Sequence, residues 1–483
     1  QYGLISALAG RTLNEEDRRL SLFAVGDDDQ NIYAFGGASV EYIRRFEEDY
    51  RSKPAYLTEN NRTTAHIVEA SNLVIEEARE RMKAGRPITV PEAQADRAKG
   101  GPFAKLDPVA RGRVQILPAG PDAKTQAVAV VDELSRLSKL APDWNWARCA
   151  VIARNWSDLE PVRAYCEHLG IPAQLARDEG LPFWRLRETQ ALVAHVRGIA
   201  APLLTAAELQ AWIEPQPVGP GWELVREALH DYALETPDAE MPPAHFLDWL
   251  AEWGRDARRK QKGLLLSSAH RVKGLEFDHV AVLDGAWDRV GPNEDPDAPR
   301  RLYYVAMTRA RHSLLLARPN RTNRFIDMLP EDECLFRRER VGEAIMPYGL
   351  DARYERLTLK DIYLGYAGNF PERHFVHRAI ARLRPGDPLR LAEEKGRWSI
   401  TDDAGRTVGR LAKSYRPPPG MSVASVEVAA VVVWRAEDSE EDHRGGAMCE
   451  ACDVVVPVIV YASGDPGAEG EAAARHLEDD SDV

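Results

Sequence analysis

Three carboxylates, two amides and two aromatic rings fall within the thirteen residues GDDDQNIYAFGGA, 26–38. Asp27, Asp28 and Asp29 offer negative charge, Gln30 a neutral donor and acceptor, and Tyr33 and Phe35 flat apolar faces. Delivered at the C-terminal end of a strand, such a cluster is the layout of an α/β site that handles phosphates. A calcium loop is excluded, because Ile32 stands where that loop needs glycine and Ala38 where it needs the bidentate glutamate. An acidic surface turn is the alternative that this segment leaves open.

Three further clusters carry chemistry. In LTENNRTTAHIVEASN (57–72), Arg62 precedes a Thr-Thr pair able to cap a helix. In SSAHRVKGLEFDHVAVL (267–283), a strand ends at His270, Lys273, Gly274 and Glu276. In RRLYYVAMTRAR (300–311), a helix would carry Arg309 one turn beyond an aromatic and apolar face. Taken singly, each arginine reads first as a surface or ion-pair residue, and Tyr33 and Phe35 read as core packing.

These clusters need elements to hold them. The apolar run LSLFAV (20–25) reads as a strand leading into the acidic turn, and ASVEYIRRFEEDY (38–50) as a helix with Val40, Ile43 and Phe46 on one face. From 111 the grammar alternates. Strand RGRVQILP precedes a helix carrying Val130, Val131, Leu134 and Leu137, and strand CAVIAR precedes the helix SDLEPVRAYCEHLG, with Pro161 near its start and Gly170 at its end. With GLLLSSA, HVAVLD and SLLLAR further on, the pattern predicts a parallel sheet covered by helices. Between them, residues 185–262 read as a helical insertion rich in Leu, Ala and Trp, and 285–300 as a loop. Past 350, LTLKDIYLGY, DPLRLAEE, GRWSITDD and TVGRLA read as short strands of a small β-rich domain or barrel. The stretch after 435 reads as a partly disordered acidic tail with one strand at VVVPVIVYA.

Bulk numbers bound the answer. A chain of 483 residues, 44% hydrophobic and 29% charged, supports several globular cores. No apolar run is long enough for a membrane helix, and VASVEVAAVVVW is interrupted by Glu427. Five mostly isolated cysteines give no disulfide framework, which favours a reducing, cytoplasmic compartment. Cys449 and Cys452 form a lone CxxC, read as incidental spacing, so no metal ligands are assigned. A net charge of −13 excludes a generally basic nucleic-acid coat but leaves local basic clusters.

In chain order the four clusters resemble the motifs of UvrD/Rep-type superfamily 1 DNA helicases, over roughly residues 1 to 330. GDDDQNIYAFGGA is similar to the family's GDxDQxIYxFRGA, TENNRTT to its NYRS segment, SSAHRVKGLEF to its TxHxxKGLEF segment, and RRLYYVAMTRAR to its RLxYVAxTRAR segment. The resemblance implies ATP bound between two RecA-like domains, with Arg62 and Arg309 as phosphate-directed arginine fingers and Gln30 sensing the γ-phosphate. It implies a ribose contact for Glu276, beside Gly274 where backbone approaches closely. It also implies stacking of bases on Tyr33 and Phe35, strand contacts or coupling through His270 and Lys273, and 3′ to 5′ movement along single-stranded DNA.

Departures accompany the resemblance. Gly36 stands where the family has arginine, Asn61 where it has tyrosine, and Ser268 where it has threonine. No GxxxxGK[ST] loop and no DExxD segment occurs, so the ligands of Mg2+ are expected in a missing N-terminal helicase region preceding Gln1. The expectation is therefore a C-terminal portion of an ATP-dependent DNA helicase, inactive by itself. Its parts would be the end of a first RecA-like domain (1–56), a second one (57–184 and 263–350) interrupted by the helical insertion (185–262), a β-rich accessory domain (351–435) and a tail (436–483). The rival is a non-catalytic DNA-binding or assembly module that keeps the helicase shape without ATP turnover.

Overall fold

Short runs dense in Val, Ile, Leu and Ala become the strands of a parallel sheet in the first of two units, Gln1–Ala176 with Lys262–Tyr348. The strands are β1 (Val114–Pro118), β2 (Cys149–Ala153), β3 (Ala173–Leu175), β4 (Leu264–Ser268), β5 (Phe277–Val282) and β6 (Ala310–Arg318). Their spatial order is β1-β6-β5-β2-β4-β3, and every pairing is parallel. Burial is continuous along β2 and β4, as a sheet covered by helices requires. The computed structural model describes residues 1–11, 19–33, 37–79, 81–91, 103–107, 114–120, 122–177, 182–237, 239–257, 261–291, 295–318, 322–330, 346–347, 349–394, 396–435 and 448–462.

The expected alternation is present. Helix Ala123–Ser138 buries Val130, Val131, Leu134 and Leu137 and starts at a capping box between Asp122 and Thr125. Helix Glu160–His168 has Pro161 in its first turn, and Gly170 follows it at φ +65°, a conformation a glycine adopts without strain. Ile67 and Val74 of helix Ala65–Glu76 join Ile116, Ile152, Val280 and Leu314 of the strands in one core.

Two expectations fail here. LSLFAV pairs with no strand among the described residues, and Leu20, Phe23 and Val25 are 63%, 93% and 80% exposed. An extended segment becomes a strand only when a neighbour takes its N–H and C=O groups, and none of the described strands does so. The helix through RRLYYVAM runs Ala298–Met307 and stops before Arg309, because Ala310 is already in register with Phe277 as the first residue of β6. Arg309 thus sits in a tight helix-to-strand junction.

The second unit, Arg177–Gln261 with Gly349–Val483, is a helical stretch and an antiparallel sheet built on one core. Helices Arg187–Arg197, Ala206–Ile213, Pro220–Glu235 and Pro243–Ala257 supply Leu192, Leu229 and Phe246 to it. The sheet comprises β7 (Arg353–Arg356), β8 (Pro388–Glu394), β9 (Arg397–Thr401), β10 (Thr407–Arg410), β11 (Ser422–Arg435) and β12 (Ala451–Ala462), in the order β10-β9-β8-β11-β12-β7. LTLKDIYLGY is not a strand: Thr358 and Asp361 form a capping box that turns Leu359–Asp361 into a 3-10 helix, and Ile362 keeps only a bridge to Leu411. β12 contains the expected VVVPVIVYA and pairs along its length with β11; Pro457 sits beside a register shift, which tolerates its missing donor. Among the described residues no helix is long and apolar enough to cross a membrane.

Candidate functional site

Four of the sequence clusters meet in the first unit. The acidic turn winds Asp28–Gln30 into a 3-10 helix whose N-cap Asp27 accepts from the Asp29 backbone N–H. Each carboxylate is then spoken for. Arg81 donates Nε and Nη2 to the two oxygens of Asp29, both at 2.8 Å, and Lys83 Nζ reaches Asp27 at 2.6 Å. The Met82 backbone N–H reaches Asp28 at 2.7 Å. Burial by itself would raise the Asp29 carboxyl, but the hydrogen bonds and charges of Arg81 and Lys83 outweigh it and hold it below its ordinary value. Lys83 is the mirror case: burial opposes its charge, and Asp27 overrides this and raises it.

Gln30 leaves this network pointing outward. Its Nε2 donates to Asp27 at 2.7 Å, its Oε1 accepts from Arg309 Nη2 at 3.3 Å, and its carbonyl accepts from Lys273 Nζ at 2.8 Å. Arg309 is 2% exposed and is held by the carbonyls of Val305 and Leu275 as well. Burial first, and then the neighbouring charge of Arg62, pull its guanidinium down to about 10, so it remains a cation at neutral pH.

Arg62 lies against the same junction. Its Nη1 donates to Glu276 at 2.6 Å and its Nη2 to the carbonyl of Thr308 at 3.2 Å. The Thr308 hydroxyl accepts from Arg309 Nη2 at 3.1 Å, so one residue holds both guanidinium groups. Asn60 positions Arg62 from below, its Oδ1 accepting from the backbone N–H groups of Arg62 and Thr63 at 2.8 Å each. Thr64 occupies the N-cap of helix Ala65–Glu76 but makes no side-chain capping bond, so the Thr-Thr pair does not cap as expected. Arg62 Nε is buried with no acceptor, a donor that an anion would satisfy.

The remaining predicted residues follow from β4 onward. Gly274 takes φ +86° in the turn between β4 and β5, with nothing within 4 Å of where a Cβ would stand. Glu276, expected to face a ribose, is engaged by Arg62. Tyr33 donates its hydroxyl to the His270 carbonyl at 2.7 Å, while Lys273 Nζ lies 5.2 Å from the ring centroid. The ring is 38% exposed, not core. Phe35 and Gly36 lie outside the described residues.

Chemically this is a cluster of two guanidinium groups, an amide and an orphan donor, suited to phosphate oxygens. A divalent cation fits it less well. Asp27, Asp28 and Asp29 bring their oxygens within 4.8 Å of one another, but Lys83 and Arg81 already pair with Asp27 and Asp29, and Asp28 accepts from the Met82 backbone N–H. Sequence reasoning missed Thr308, Asn60, Arg81 and Lys83. Thr308 was within the TRAR segment, whereas Arg81 and Lys83 carry no motif and meet the acidic turn only through folding.

Comparison with known proteins finds similarity to DNA helicases in parts of the chain. Residues 1–51 match the UvrD/REP helicase N-terminal domain family and residues 263–317 the UvrD-like helicase C-terminal domain family. The ATP-dependent DNA helicase UvrD2 of Mycobacterium tuberculosis (strain ATCC 25618 / H37Rv) is 27% identical over 328 residues, covering 62% of this chain and 43% of that protein. The ATP-dependent DNA helicase PcrA of Staphylococcus epidermidis (strain ATCC 12228 / FDA PCI 1200) is 41% identical over 86 residues, 18% of this chain and 11% of its own length. The crystal structure of the C-terminal domain of a possible DNA helicase from Lactobacillus plantarum WCFS1 aligns with 49% of this chain and 92% of that one, at 15% identity and a TM-score of 0.25. The chain spans less than half the length of the curated relatives it matches. The family matches and the named relatives support a UvrD-type DNA helicase relationship. The match of residues 1–51 to an N-terminal-domain family corrects the expectation of a C-terminal portion alone, since segments of both families are present.

Proposed function

We propose that this chain forms part of an ATP-dependent DNA helicase or translocase that couples ATP hydrolysis to movement along single-stranded DNA in repair or recombination. The observation that supports it most is the convergence of Arg62 and Arg309 on Thr308, with Arg309 also on Gln30. When bound, MgATP supplies a phosphoanhydride whose cleavage releases the free energy for movement. Toward it, the chain's own residues offer positive charge: Arg309 is held in place by carbonyls, and Arg62 keeps an unsatisfied Nε and becomes available once it leaves Glu276. Gln30 is braced by Asp27 and Lys273, so a change at its Oε1 is passed to the Lys273–Tyr33 pair, which we assign to single-stranded DNA. The Glu276–Arg62 ion pair is about one-third exposed on both sides, a pair that costs on the order of 1 kcal/mol or less to open. Glu276 can thus exchange Arg62 for a ribose hydroxyl, and Arg62 can turn to phosphate.

The rival, a DNA-binding or assembly module without ATP turnover, is favoured by one observation: the acidic triad is consumed by Arg81, Lys83 and backbone. Sequencing upstream in frame and assaying the product of the complete reading frame separates the two. A GxxxxGKT and a DExxD, with DNA-stimulated ATP turnover, support the motor. A start codon near Gln1, with DNA binding but no turnover, supports the module.

A further inference from the structure

One stretch of the second unit carries basic charge although the unit as a whole is acidic. Between residues 349 and 435 there are fifteen Lys and Arg against ten Asp and Glu, in a protein of net charge −13. The densest part is RHFVHRAIARLR, 373–384, with four arginines and no acid. Its helix, Phe375–Arg382, buries Val376, Ala379 and Ile380 against β10 and β12. That fixes the opposite stripe: Phe375, Arg378 and Arg382, at i, i+3 and i+7, share the outward face. All three are exposed, Phe375 by 47%.

The arginines on this face are not engaged elsewhere. Arg373, Arg378 and Arg382 have no carboxylate partner among the described residues, whereas Arg136, Arg163, Arg300, Arg301 and Arg406 each hold one. The helix does not need them for its C-terminal carbonyls either, because Arg187 donates to Leu383 O at 2.9 Å and to Ala381 O at 3.5 Å. Glu372 is the acidic residue beside the stripe in sequence. Three exposed guanidinium groups and a half-exposed aromatic ring, packed on one side against His374, offer a polyanion with flat faces both charge and a stacking surface.

We propose that this face binds a single strand of nucleic acid, with Arg378 and Arg382, one helical turn apart, on successive phosphates, Arg373 flanking them, and Phe375 stacked on a base. A backbone that alternates phosphates with unstacked bases meets both the charge and the ring; an acidic peptide meets only the charge. The inference stands on the second unit alone and does not rest on the motor reading.

The test is anisotropy of a labelled oligothymidylate of about 20 nucleotides, enough for one contact site, titrated with the 483-residue chain across a salt series. The double variant Arg378→Gln/Arg382→Gln weakens binding and flattens the slope of log K against log salt by about 1.4, two single-strand phosphate contacts. Phe375→Ala weakens binding roughly five- to hundredfold and leaves the slope unchanged. The control double variant Arg390→Gln/Arg397→Gln, on β8 and β9, keeps the wild-type slope. All the altered side chains are exposed, and matched thermal unfolding curves verify the fold. A wild-type slope in the Arg378/Arg382 variant overturns the proposal. So does an equal flattening in the control pair, or polyglutamate competing as well as the oligonucleotide. Failure of ATP turnover leaves this readout unaffected, so the two readings fall separately.

Discussion

Arg309 Nη2 and Gln30 Oε1 meet at 3.3 Å across 279 positions of sequence. The contact ties a helix-to-strand junction to the acidic turn, and Gln30 cannot yield freely because Asp27 and Lys273 hold it from two other directions. A group that drew Arg309 toward itself would therefore pull on a braced amide, and the strain would reach Lys273 and Tyr33 rather than dissipate.

Arg309→Ala in the product of the complete reading frame abolishes ATP turnover, by roughly a thousandfold or more if the guanidinium acts as an arginine finger, and leaves single-strand affinity within about twofold, the scatter of an uninvolved site. Filter binding and a coupled phosphate assay read the two quantities. Equal loss of both marks Arg309 as a structural residue, which its bonds to Val305 O and Leu275 O make a serious competitor.

Thr308 supplies its carbonyl to Arg62 and its hydroxyl to Arg309, so its two roles can be separated. Thr308→Val keeps the shape and the carbonyl and removes the hydroxyl acceptor, with kcat expected to fall about tenfold for one lost hydrogen bond to a charged group. Thr308→Ser restores the rate. If serine fails to rescue, packing of the methyl group rather than the hydroxyl accounts for the loss.

Much of the sheet was legible because a covered parallel strand is buried along its whole length and is therefore mostly apolar, as CAVIA and the LLL of LLLSS are. LSLFAV carries the same signal and yet forms no ladder among the described residues, since composition specifies a willingness to pair and not a partner. Arg62, Arg309, Gln30 and Glu276 were legible as types at positions. Their mutual arrangement was not, and the Glu276–Arg62 pair, 214 positions apart, could not be read from spacing. Arg81 and Lys83 were invisible for a related reason: on their own they resemble any solvated pair, and only folding sets them on Asp29 and Asp27.

That network gives the first unit a defined pH response. The Asp29 carboxyl is held below its ordinary 3.8 when folded, so its contribution is present above about pH 4 and is lost as pH falls through the lower folded value. Lys83, raised above 10.5, contributes fully below that pH and loses its share as pH rises through the folded value. Arg81→Met leaves the buried Asp29 carboxylate with Lys83 alone, at 3.3 Å, and costs at most about 3 to 5 kcal/mol, the loss for a buried charge with no partner. Urea unfolding between pH 3 and 7 should show the variant's deficit shrinking toward low pH, where Asp29 protonates. A deficit that stays constant across that range would mean the loss comes from packing of the Arg81 stem.

Tyr33 offers the sharpest test of how DNA would be sensed. Its hydroxyl is anchored on His270 O and Lys273 covers the ring at 5.2 Å, while Lys273 also holds the Gln30 carbonyl. Tyr33→Phe frees the anchor but keeps the ring, so single-strand affinity should change by less than about 1 kcal/mol, the worth of one neutral hydrogen bond. Tyr33→Ala removes the stacking surface and should cost about 1 to 3 kcal/mol. Lys273→Met keeps the ring available and breaks the link to Gln30. Basal ATP turnover should then persist while its stimulation by single-stranded DNA collapses toward one. If Lys273→Met lowers basal and stimulated turnover in proportion, Lys273 acts on the nucleotide side and the route from Gln30 to Tyr33 is wrong.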